Sequence, residues 1–154
     1  MTAQTTSDAV LLERQLCHAP ERVFAAFTSA KAVAAWLSPA PEIAPDVRQW
    51  DFRREGEYII AYPLPGAASL VLFGTFLRIE PPAFLSMTWQ WREPDPHAGV
   101  LSHVAITIAR TDTGSALQIN HTRLESAGMP ERHGDGWVGA LQRLDQFLTT
   151  SQQD

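Results

Sequence analysis

The sequence predicts an α+β domain in which one amphipathic helix near the C-terminus covers an antiparallel sheet of about six to seven strands. Three observations predict it. The apolar period changes from about 3.6 residues to 2 near residue 46, so two short helices give way to a run of strands. The strands alternate on one side, which means a sheet with a single buried face. The stretch G-D-G-W-V-G-A-L-Q-R-L-D-Q-F-L over 134–148 is the one long helical pattern left to cover that face.

Each element follows in order. A-V-L-L-E-R-Q-L-C-H over 9–18 reads as a strand, with Glu13 and Arg14 blurring which face is apolar. Pro20 suits the first turn of a helix, where its missing N–H costs nothing. Val23, Phe24 and Phe27 then share a face. Thr28 or Ser29 can cap a second short helix, A-K-A-V-A-A-W-L, which must stop before Pro39. Pro39, Pro41 and Pro45 mark a loop.

D-V-R-Q-W-D-F-R-R and E-Y-I-I-A-Y read as strands joined near Glu55-Gly56. P-L-P-G at 63–66 is a turn, and the strand after it ends at Pro81-Pro82. In F-L-S-M-T-W-Q-W-R, Leu85, Met87, Trp89 and Trp91 face one way. The next strand groups Val104, Ile106 and Ile108, T-D-T-G at 111–114 turns the chain, and A-L-Q-I-N-H-T-R is the last strand.

S-A-G-M-P-E-R-H-G reads as a loop before the final helix, whose stripe is Trp137, Leu141, Leu144 and Leu148. Asp135 is the expected N-cap. Glycine costs a helix up to about 1 kcal/mol against alanine. Gly136 and Gly139 therefore need a reason: close backbone approach or room for a ligand. The alternative is that Gly134 and Gly136 are still loop. The expected organisation is one domain over 9–150 between a flexible N-terminus, 1–8, and a loose C-terminus, 151–154.

Composition narrows the function. Of 154 residues, 45% are hydrophobic and 19% charged, enough apolar material for a core. The net charge is −5 and no basic run exists, so nucleic acid and anionic membrane surfaces are poor partners. No window reaches the roughly 18 apolar residues of a membrane span, and the first residues lack the pattern of a signal peptide. A single cysteine, Cys17, leaves no internal disulfide. A cytoplasmic protein is the expectation.

Several motifs together carry a resemblance. H-A-P-E-R-V-F-A-A-F-T-S at 18–29 and A-A-W-L-S-P at 34–39 stand near the start. D-F-R-R-E-G-E-Y at 51–58 and G-T-F-L-R-I-E-P-P-A-F-L at 74–85 follow, and H-G-D-G-W at 133–137 closes the set. In this order they resemble the bacterial family named for the activator of Hsp90 ATPase. That family sits within the SRPBCC group of helix-grip, START and Bet v 1-like proteins. Glu55 departs from the pattern, since the family often has the first glycine of a pair there. Leu37 stands where a second tryptophan is common. The resemblance implies a curved sheet gripping the C-terminal helix with a cavity between them, and no single activity.

Candidate site residues come from the predicted inner face. Phe73, Met87, Trp89, Trp91, Val104, Ile106, Trp137 and Leu141 are the expected cavity wall, with Trp36 at the end of the second helix. Each is equally ordinary core material. His121 continues the Leu117, Ile119 face and is the expected polar anchor, able to orient a ligand or act as a base near neutral pH. A histidine satisfied by its neighbours is the alternative. Arg123 stands two residues on, where it could hold an acidic head group.

No metal-ligand spacing, nucleophile motif or phosphate loop is legible, so no catalytic residue, metal or cofactor is expected. The leading function is binding of a hydrophobic or amphipathic small molecule. An enzyme such as a cyclase or hydrolase acting in the same cavity ranks second. An Hsp90-type interaction module ranks third, and a homodimer is left open.

Overall fold

The alternating segments close into one antiparallel sheet of eight strands in a computed structural model that describes residues 3–153. The strands are β1 (Gln4–Thr5), β2 (Val10–Leu16), β3 (Asp46–Trp50), β4 (Glu57–Leu64), β5 (Ala67–Glu80), β6 (Phe84–Trp91), β7 (Ser102–Thr111) and β8 (Gly114–Thr122). The helices are α1 (Pro20–Ala25), α2 (Ala30–Ala34) and α3 (Met129–Gln153). Spatial order is β1-β2-β8-β7-β6-β5-β4-β3, so α1 and α2 carry the chain from one side of the sheet to the far edge.

The one-sided alternation decides which face is inside. Leu85, Met87, Trp89 and Trp91 of β6 are buried, as are Val104, Ile106 and Ile108 of β7 and Leu117, Ile119 and His121 of β8. Register shifts in the β3–β4, β4–β5 and β5–β6 pairs bend this half of the sheet. The result is the helix-grip arrangement: a curved sheet with α3 against its apolar face. Burial of each large apolar side chain there contributes about 1.5–3 kcal/mol.

The structure revises several expectations. Eight strands form where six or seven were expected, because Gln4–Thr5 pairs with Val10 and Leu11. The stretch expected to be a flexible N-terminus thus supplies an edge strand, and α3 continues through Gln153 where a loose end was expected. Met1, Thr2 and Asp154 lie outside the described residues. Arg14 is half-buried on the inner edge of β2, bonded to Asp145 of α3 at 2.9 Å; this pairing is why its strand looked ambiguous.

Ser29, not Thr28, caps α2 by accepting from the Ala32 N–H at 3.1 Å. The last helix begins at Met129, with Pro130 in its first turn, so Asp135 lies inside the helix and is no N-cap. No helix among the described residues is long and apolar enough to cross a membrane.

The hairpin between β3 and β4 carries backbone strain. Glu55 sits at φ +69°, and a Cβ on neighbouring Gly56 would lie 2.0 Å from the Asp51 carbonyl oxygen. A left-handed conformation costs an ordinary residue about 1–2 kcal/mol, more than the entropy a glycine loses. Glu55→Gly is expected to raise stability by about 0.5–1 kcal/mol, read as a higher urea midpoint with unchanged slope.

Candidate functional site

Between α3 and the sheet lies a cavity of about 220 Å³. The sheet supplies Tyr62 and Leu64 from β4, Leu70 from β5, and Trp89 and Trp91 from β6. The helix supplies Arg132, His133, Gly136, Trp137 and Ala140. Leu37, Ser38, Pro39 and Ile43, which follow α2, complete the wall. That segment is tied down twice: the Tyr62 hydroxyl donates to the Leu37 carbonyl at 3.0 Å, and Arg143 of α3 donates to the Ser38 carbonyl.

Of the expected wall residues, the structure brings Trp89, Trp91 and Trp137 together. The Trp89 and Trp137 rings stand 5.2 Å apart, centroid to centroid. Met87, Val104, Ile106 and Leu141 are buried in the core and do not line the cavity. Trp36 is also core: its indole N–H donates to the Ala26 carbonyl at 3.0 Å and its ring meets Phe27 edge to face. Phe73 alternates with buried Leu72, so its side chain falls on the outer face, where Arg92 lies 5.1 Å above the ring. Arg123 is exposed, at φ +62°, just past the end of β8, and anchors nothing in the cavity.

His121 is fully buried but spends both ring nitrogens inside the core. The Trp137 indole N–H donates to its Nδ1 at 3.1 Å. Its Nε2 is 2.9 Å from Ser102 Oγ, which itself donates to the Trp89 carbonyl at 2.8 Å. With the hydroxyl proton committed, Nε2 must be the donor to Ser102, and the ring is neutral. Both ring nitrogens are thus satisfied by neighbouring side chains.

A second histidine, not singled out in the sequence, does line the cavity. The Trp91 indole N–H donates to His133 Nε2 at 3.0 Å, and His133 Nδ1–H donates to the Met129 carbonyl at 2.9 Å. The two imidazoles meet edge to face, 5.0 Å apart. The available signal was the spacing of His133, four residues before Trp137 on one helical face. It was hidden by placing the helix start too late.

At the rim, Arg132 stacks over Trp91 at 4.8 Å and grips Asp95 with two hydrogen bonds of 2.8 and 2.6 Å. The Asp95 side chain is 0% exposed. Arg132 also donates to His97 Nδ1 at 2.8 Å, and His97 returns a backbone N–H to Asp95. Burial alone would raise the Asp95 carboxyl, but the Arg132 hydrogen bonds outweigh it, aided by the His97 N–H and nearby positive charge, and hold it below the usual range. Among the described residues, no three His, Cys, Asp or Glu gather as a metal-holding group.

Burial pushes His133 down to about 4 and His121 well below its ordinary value; the Met129 carbonyl only partly opposes the shift at His133. An unfolded histidine titrates near 6.5. Between that pH and about 4 the unfolded chain takes up protons that the folded rings refuse. Stability is thus full above pH 6.5 and falls as pH drops, by up to about 1.4 kcal/mol per pH unit for each ring. Urea titrations at pH 7.5, 6 and 5 read this slope; a flat profile would mean that the folded rings are charged.

Comparison with known proteins agrees with this architecture. No curated protein matches the chain. A crystal structure from Chromobacterium violaceum superposes with a TM-score of 0.83 at 25% identity, covering 92% of this chain and 97% of that one. The AHSA1 protein of Silicibacter pomeroyi gives 0.79 at 26% identity, covering 93% and 99%. A protein of Arthrobacter aurescens, solved by NMR, gives 0.82 at 16% identity over 97% and 91%, a likeness of fold alone. Residues 18–149 match the family model described as "Activator of Hsp90 ATPase homolog 1-like protein", and with most of its length so matched the chain belongs to that family.

Proposed function

We propose that this chain binds a small hydrophobic or amphipathic molecule in the cavity between α3 and the sheet. The observation that carries the reading is Gly136. Three glycines stand inside α3, and two have a packing reason. A Cβ on Gly134 would meet the Ala3 Cβ at 3.2 Å, and one on Gly139 would meet the Pro39 carbonyl oxygen at 3.3 Å. A Cβ on Gly136 would meet nothing within 4 Å, yet the residue lines the cavity. A helical glycine beside open space lowers stability by about 1 kcal/mol against alanine. What it gains is volume.

The size suits a ligand. An apolar cavity of about 150 Å³ holds benzene. At about 220 Å³ this one holds a ring with a short substituent. Its walls are aromatic and aliphatic with few polar groups, the usual form of a small-molecule site. An enzymatic reading loses its candidate base, since His121 and His133 both spend their two nitrogens. An Hsp90 partnership rests on the family's description alone.

Native mass spectrometry of the purified protein, followed by solvent extraction, tests the reading. A stoichiometric apolar compound is expected. Gly136→Ala should raise stability by about 0.5–1 kcal/mol. Gly136→Leu should fold and lose the bound compound. Equal retention in Gly136→Leu would place the ligand elsewhere.

A further inference from the structure

The cavity wall has few polar side chains, and they already have partners. Trp91 gives its indole N–H to His133, and His133 gives its own to the Met129 carbonyl. Trp137 gives its N–H to His121. The Tyr62 hydroxyl donates to the Leu37 carbonyl, Arg143 to the Ser38 carbonyl, and Ser38 Oγ to the Ala40 carbonyl at 2.8 Å. Trp89 lines the space too, but its indole nitrogen is closed off from it. The other wall residues, Arg132 apart, carry no polar side chain.

Arg132 is the one cation on the wall. Both its terminal nitrogens bond the Asp95 carboxylate, and one of them also bonds His97 Nδ1. The Asp95 side chain is closed to solvent, so its charge is spent on Arg132 by direct contact. A ligand carboxylate arriving there would meet the Asp95 charge beside the guanidinium, and repulsion from one offsets attraction to the other. It would also give up its water without gaining a free donor.

We infer that the site takes a molecule that is uncharged and apolar throughout, and that Asp95 is the residue that makes it refuse an acid. This rests on the binding reading above and narrows it. A head group that hydrogen-bonds is selected against rather than held, because no wall donor is free to receive it. Asp95 touches Arg132 and not the ligand, so it sets specificity by cancelling a charge.

Three probes of near-equal size test it: ethylbenzene, benzyl alcohol and benzoate. Each is titrated at neutral pH into 15N-labelled wild-type protein while the five tryptophan indole signals are followed. Ethylbenzene is expected to bind. Benzyl alcohol is expected to bind at least about tenfold more weakly, because its hydroxyl gives up water for no partner. Benzoate is expected to be the weakest of the three. Asp95→Asn keeps the shape of the side chain and removes its charge. In that variant benzoate is expected to gain about tenfold relative to ethylbenzene, as Arg132 is left unbalanced. The wild-type ranking decides both parts of the inference even if that variant does not fold.

Benzyl alcohol binding as tightly as ethylbenzene would mean that the wall offers a hydrogen-bond partner. That would overturn the apolar ligand and leave the cavity reading intact. Benzoate binding more tightly than benzyl alcohol would mean that Arg132 acts as a free charge, and would overturn the role of Asp95. A folded Asp95→Asn variant in which benzoate gains nothing would overturn it too. If no probe binds the wild type, the cavity reading falls, and this inference falls with it.

Discussion

Two uncharged histidines join the long helix to the sheet, and the cavity exists because of how they do it. One relay runs from the Trp137 indole N–H of α3 to His121 of β8, on to Ser102 of β7 and to the Trp89 carbonyl of β6. A second runs from Trp91 of β6 to His133 and the Met129 carbonyl of α3. Both have a unique proton direction, so neither ring can change tautomer without breaking a bond. Buried polar groups are costly unless every member is satisfied, and then they specify one geometry. An apolar contact could slide along the helix; these bonds cannot.

That fixed geometry lets large side chains surround space without filling it. An indole free to rotate would fold into the gap beside Gly136, because cores pack to high density where they can. Trp91 and Trp137 are pinned by their N–H bonds, and Tyr62 by its hydroxyl. Arg143 and Tyr62 hold the segment after α2 over the far side. Polar bonds thus hold Tyr62, Trp91 and Trp137 in place around the volume.

The sheet, the two short helices and the buried stripe of α3 were legible because period and face are encoded in consecutive residues. Leu85, Met87, Trp89 and Trp91 show this most simply. The N-terminal edge strand was not legible, since two polar residues, Gln4 and Thr5, pair only because β2 offers an open edge. The start of α3 was missed because the glycines at 134 and 136 outweighed Pro130, a good first-turn residue, five positions from Asp135. That error concealed His133 and Arg132.

The site was legible in part, for a related reason. Trp89, Trp91 and Trp137 share a face that periodicity identifies, but periodicity does not separate wall from core. Met87 and Val104 alternate in the same pattern and lie deeper. Phe73 was placed inward although Leu72 occupies that side of β5. Asp95 and His97 sit in the loop after β6, where no period exists to guide a reading.

The rim is where specificity and stability meet. Removing a carboxylate such as Asp95 from water is expensive, and an ion pair repays that only with good geometry. Here the geometry is two-pronged, with a backbone N–H added. The pair also does two jobs that a hydrophobic contact could not. It fastens the loop after β6 to the first turn of α3, immediately before His133. It also leaves a guanidinium over the Trp91 ring with its charge already balanced. A lone arginine at that position would have made the cavity a site for acids. With Asp95 beside it, the same arginine is a charge-balanced part of the wall, held over the Trp91 ring.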